Sequence, residues 1–97
     1  MLHLYQAEWC PFSHLVRQRL TELDVDFVAH QVEPLPEQRD AMEAAVGSRV
    51  IPVVVLEDGT VLDGDAAEIV AELDRRLPEN EHSSTHHERR LEARSFE

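Results

Sequence analysis

The sequence predicts an α/β fold, a four-stranded mixed sheet flanked by helices, and three observations predict it. Short apolar or β-branched runs alternate with stretches of helical periodicity, the last two runs are separated by Asp58-Gly59, and the resulting order is β-α-β-α-β-β-α. The first two connections pass through helices while the last pair forms a hairpin, so parallel and antiparallel pairing belong to one sheet.

Leu2 to Gln6 is an apolar run suited to a buried strand, and Ala7-Glu8-Trp9 is turn-like. From Pro11, a residue favoured in a first helical turn, Phe12, Leu15, Val16, Leu20 and Leu23 recur at helical spacing. The first helix is therefore expected from Pro11 to Leu23. Val25 to Val32 alternates in the manner of a second strand, and Glu33-Pro34-Leu35-Pro36 is a turn. Glu37 to Val46 has helical composition, with Ala41, Met42, Ala45 and Val46 on one side and Gly47 placed to close it. Val50 to Leu56 is almost continuously β-branched and reads as a central strand, with Pro52 at its entrance because proline has no N–H for the ladder. Asp58-Gly59 turns the chain back through Thr60-Val61-Leu62. Asp65 then opens a third helix through Leu77, whose stripe is Ile69, Val70, Leu73 and Leu77, and Pro78 follows.

Ninety-seven residues make one domain, expected over 1–78, with 79–97 as a polar, charged and partly helical tail. A single cysteine excludes an internal disulfide framework, so stability comes from packing. The net charge of −11 sets 20 acidic residues against nine arginines and no lysine, which argues against nucleic acid or an anionic membrane surface as partner. The start lacks the pattern of a secretory signal and no segment approaches 18 apolar residues, so a reducing cytoplasm is the expected location.

Cys10 is the most informative residue. It lies in Trp9-Cys10-Pro11-Phe12-Ser13-His14, between a strand and a helix start. Unpaired amides and the positive end of the helix dipole favour thiolate there, and thiolate is the nucleophile. A buried packing cysteine is the alternative. Trp9 and Phe12 flank the thiol, either as an exposed apolar lip or, for Trp9, packed on the domain. His14 is expected to face solvent. His82 and His86 stand at i, i+4, but nothing else in that segment completes a metal ligand set, and no metal site is expected.

Three features carry a family resemblance over about Leu2 to Leu77. Cys10-Pro11-Phe12-Ser13 after the first strand, Arg49-Val50-Ile51-Pro52, and Gly64-Asp65 before the third helix resemble the Cys-Pro-Tyr-Cys or Cys-Pro-Tyr-Ser, Arg-Thr-Val-Pro and Gly-Gly motifs of glutaredoxins. The thioredoxin-fold superfamily to which these belong also supplies the N-terminal domain of glutathione transferases. The resemblance implies a thioredoxin fold and a thiol-disulfide oxidoreductase of the cytoplasm, monomeric, with glutathione or another low-molecular-weight thiol as co-substrate. Glutathionylated proteins would be its partners.

By the same resemblance Cys10 is the nucleophile. Ser13 stands at the position of a resolving cysteine, so only a monothiol route remains. Ser13 is a candidate to hydrogen-bond the thiolate, or else it caps backbone. Phe12 borders the ligand, and Ile51-Pro52 corresponds to the family's cis-proline, which would offer the Ile51 backbone to glutathione like an added strand. Asp65 and Ala66 open a helix whose amides suit a carboxylate. Arg49, and less directly Arg39, are candidates for the glycine carboxylate or else surface residues. Glu8 stands two before the cysteine, where many members carry a basic residue, and its charge works against a low thiol pKa if it points inward. Two other functions are compatible with the resemblance: a [2Fe–2S] cluster-binding or transfer protein, in which Pro11 replaces the glycine of the usual site, and a non-catalytic glutathione-binding or interaction module. A transferase ranks lower because the all-helical second domain has no counterpart here.

Overall fold

The computed structural model describes residues 1–93. Its elements are β1 (Leu2–Gln6), α1 (Pro11–Glu22), β2 (Phe27–Gln31), a 3-10 turn (Pro36–Gln38), α2 (Asp40–Val46), β3 (Val53–Val55), β4 (Val61–Leu62), α3 (Ala66–Arg76) and α4 (Ser83–Ala93). The four strands form one sheet in the order β2-β1-β3-β4, with β1 parallel to β2 and antiparallel to β3, and β4 antiparallel to β3. This is the mixed α/β architecture of the thioredoxin fold. None of the described helices is long and apolar enough to cross a membrane.

The core lies on one face of the sheet. Leu2 and Leu4 of β1, Val54 and Leu62 meet Val16 and Leu20 of α1 and Ile69 and Leu73 of α3. Alternation along β1 sends these residues inward and His3 and Tyr5 to the opposite face, where the His30 ring stacks on Tyr5 at 4.4 Å. Each large buried aliphatic contributes roughly 1.5–3 kcal/mol.

The buried seam of α1 differs from the expected stripe. It runs through Ser13, Val16, Leu20 and, just past the helix, Leu23, a 3-4-3 spacing that leaves Phe12 and Leu15 exposed. The apolar count misplaced the face because a serine, not a leucine, occupies its first position.

The second expected helix is also broken. Arg39 sits between the 3-10 turn and α2 with φ −90° and ψ 45°, outside the helical region. Its guanidinium reaches inward to the carbonyls of Glu33, Pro34 and Arg49, and only Met42 of α2 is buried, while Ala41 and Ala45 face out. Gly47 closes α2 with φ 79°, a left-handed conformation suited to glycine.

Beyond Pro78 the chain forms α4, which packs on α1 through charge more than through apolar area. Glu22, almost fully buried, accepts from Arg19 Nη1 at 2.9 Å and Arg90 Nη1 at 2.5 Å, with His87 Nδ1 at 3.6 Å. Asp24, a non-glycine residue at φ 59°, faces His86 Nε2 at 3.5 Å, and His82 lies beside Glu81. The three tail histidines are thus divided among separate carboxylates. Arg19 also binds Asp74 of α3 and Glu79, joining α1, α3 and the approach to α4.

Burial pushes the Glu22 carboxyl up, but Arg19, Arg90 and His87 outweigh it and hold it below its ordinary value. A depressed carboxylate stabilises the fold above its unfolded pKa, and that contribution is lost as pH falls through the folded value. Glu22→Gln is expected to cost about 1–3 kcal/mol at neutral pH, read from the urea midpoint. Between about pH 6 and about pH 3 the wild type should lose more stability than this variant, because the variant has no Glu22 proton to bind.

Candidate functional site

The sheet register gathers the site. Gln6 at the end of β1 pairs with Gln31 at the end of β2, Tyr5 pairs with Val53 at the start of β3, and Leu62 at the end of β4 pairs with Val54. The chain therefore leaves β1, β2 and β4 and enters β3 at one end of the sheet. Cys10, Ile51-Pro52 and Asp65 follow from that geometry, with Arg39 and Arg49 on the segment that joins β2 to β3.

Cys10 is the N-cap of α1, with φ −80° and ψ 118°, and is 6% exposed. Its Sγ accepts the Ser13 N–H at 3.4 Å, and its own N–H donates to the Ala7 carbonyl at 3.1 Å, which fixes the turn. Ser13 is fully buried. Its Oγ accepts from the Ala7 N–H at 3.5 Å, which leaves the hydroxyl free to donate. Burial pushes the thiol up. The Ser13 hydroxyl and amide, the Phe12 amide and the charge of Arg17 outweigh it, and the thiol is held below its ordinary value. Ser13 thus both braces the turn and serves the sulfur, the two roles that the sequence left as alternatives.

The cation that acts on Cys10 comes from an unexpected place. Arg17 lies seven residues on, two turns along α1, and donates through Nη1 to Oε1 of the buried Gln6. Its Nη2 is 3.3 Å from Glu8 Oε1 and 3.3 Å from His14 Nδ1. Glu8 therefore faces a guanidinium instead of the sulfur. Glu8 occupies the place before the cysteine where a basic residue would stand, and the signal for Arg17 in the sequence is its i+7 spacing on the helix that Cys10 caps.

The Ile51-Pro52 peptide is cis, and Pro52 is buried. The β1–β3 ladder ends at Val53, so Ile51 lies beyond the last paired residue. Asp65 caps α3, its Oδ1 accepting the Glu68 N–H at 2.9 Å, and Ala66 is buried behind it. Trp9 is 66% exposed and Phe12 59%, apolar side chains that flank the thiol in sequence, and Val50, one residue before Ile51, is 68% exposed.

The two arginines are engaged elsewhere. Arg49 Nη2 binds Asp40 at 2.5 Å, Nε binds Glu43 at 2.6 Å, and Nη1 donates to the carbonyls of Pro36 and Glu37. Arg39, expected on the surface of the second helix, is 4% exposed and is spent on three backbone carbonyls.

The glutaredoxin family model matches residues 2–62. Among solved structures, a glutathione S-transferase from Rhodospirillum rubrum F11 is 28% identical with a TM-score of 0.69, covering 81% of this chain and 35% of its own. A glutathione S-transferase from Methylobacillus flagellatus KT with glutathione bound is 29% identical with a TM-score of 0.61, covering 80% and 38%. Glutaredoxin 2 from Salmonella typhimurium in complex with glutathione has a TM-score of 0.68 over 81% and 35%, and its 16% identity speaks to the fold alone. The chain thus spans little more than a third of the length of these relatives. Comparison with curated proteins finds no match. The family match covers more than half of the 97 residues and includes both the Cys10 turn and the Ile51-Pro52 bond, and the chain belongs to the glutaredoxin family.

Proposed function

We propose that the protein is a monothiol thiol-disulfide oxidoreductase that exchanges a small thiol, glutathione or a chemical equivalent, through Cys10. The observation that carries this reading is the Cys10 sulfur at the α1 N-terminus, accepting from Ser13 and held below its ordinary pKa. Family membership supports the glutathione relation, as does the glutathione-bound transferase structure.

In this reaction the Cys10 thiolate attacks the small-thiol sulfur of a protein mixed disulfide. That S–S bond breaks, a new one forms to Cys10, and the protein sulfur leaves as a thiolate that takes up a proton. A second small thiol, as thiolate, attacks the Cys10 adduct and departs as the symmetrical small-thiol disulfide, returning Cys10 to its starting state. In the net exchange one small thiol and one protein mixed disulfide are consumed, and one protein thiol and one symmetrical small-thiol disulfide are formed. Ser13 donates to the sulfur in its charged form and supplies no second thiol.

The ligand would lie along Ile51 beyond the end of the ladder, bordered by Phe12, with the first turn of α3 at Asp65 and Ala66 facing its other end. The chemistry belongs to residues 1–78, with residues 79–93 acting as a brace on α1.

Cys10→Ser is expected to abolish turnover of a glutathionylated peptide in a glutathione-coupled assay, while the urea midpoint stays close to wild type. Alkylation rate against pH gives the Cys10 titration directly. A thiol titrating in the ordinary range near about 8.5 and inert in that assay would overturn the proposal.

Ser13→Ala and Arg17→Gln should each move the Cys10 titration upward, since each removes a group that favours the thiolate. The exchange rate near neutral pH should fall by about three- to ten-fold and recover as pH is raised.

A further inference from the structure

We propose that the site prefers a small thiol whose far end is neutral or cationic over one that ends in a free carboxylate, glutathione included. This rests on the reading of Cys10 as a small-thiol nucleophile and concerns the charges that would meet the tail of that thiol.

Three segments converge at the Cys10 end of the sheet, 7–17, 31–50 and 63–68, and together they carry eight carboxylates against three arginines, with no lysine in the sequence. All three guanidiniums are already occupied. Every nitrogen of Arg49 has a partner, and two of those partners are the carboxylates of Asp40 and Glu43, so the group is net negative. Every nitrogen of Arg39 donates to a backbone carbonyl inside the fold. Arg17 is shared among Gln6, Glu8 and His14.

The remaining donor surface is the first turn of α3. Its cap is itself the Asp65 carboxylate, and Asp63 stands two residues before it in sequence. An incoming carboxylate would have to displace an existing ion pair or sit in an excess of like charge, and both oppose binding. A neutral or cationic tail meets neither cost.

The test compares glutathione disulfide with the disulfide of glutathione glycine-ethyl ester, which differs only in the carboxylates that are masked. Stopped-flow and intact mass measure the second-order formation of the Cys10 adduct, a single exchange that releases one small thiol per adduct. The ester disulfide is expected to react about two- to five-fold faster, with the ratio shrinking as ionic strength rises from about 0.05 M to about 0.5 M. In Asp40→Asn/Glu43→Gln the ratio should fall toward unity as Arg49 is released. Glu57→Gln/Asp58→Asn, in the hairpin turn at the opposite end, should leave it unchanged.

Glutathione disulfide reacting as fast as the ester or faster in the wild type would overturn this inference and leave the thiol chemistry standing. An equal response in the remote variant would also overturn it, because the preference would then reflect net charge alone. If neither disulfide modified Cys10, the underlying reading would fail instead.

Discussion

The structure depends on β1 being hydrogen-bonded on both edges, to β2 in parallel and to β3 antiparallel. A strand held on both sides has its register set twice, and a slip of one residue would exchange Leu2, Leu4 and Gln6 for His3 and Tyr5 on the core face. That double pairing fixes where β1 ends, and so where the Ala7–Cys10 turn begins. It also aligns the entrance to β3 with that turn. The thiol and the cis-proline, 42 positions apart in sequence, come to the same end of the sheet because of pairings that involve neither of them.

At the thiol, burial and hydrogen bonding act in opposite directions. Burial disfavours charge on sulfur, and the Ser13 hydroxyl, the amides of Ser13 and Phe12 and the charge of Arg17 reverse the outcome. Gln6 and Glu8 bracket the guanidinium that contributes to this. The carboxylate that looked adverse in the sequence is thereby turned away from the sulfur, at the cost of dividing the influence of Arg17 between partners.

The order of elements, the strand-to-helix placement of Cys10, the hairpin and the Gly47 and Asp65 caps were legible in the sequence because each rests on local periodicity or on a residue with a special backbone role. What was not legible depends on where long polar side chains end. Nothing in the local pattern marks Arg39 as a buried clamp on three carbonyls, since arginine is ordinarily a surface residue. Arg17 and Glu22 are similar: the role of each is set by partners brought by the fold, Gln6 and Glu8 for one, Arg19 and Arg90 for the other. The buried seam of α1 was misjudged for a related reason, because a serine serving the sulfur takes a position where a helix facing only the core would carry an aliphatic residue.

Trp9 is the sole tryptophan in the chain, it is two-thirds exposed, and it is bonded directly to the residue proposed to do the chemistry. Its indole emission therefore originates in a water-facing environment at one identified place. Anything that seats itself against the sulfur changes the polarity around that ring, and a disulfide formed next door adds a quencher within one residue. The protein carries its own optical reporter of occupancy, with no dye and no background from other indoles.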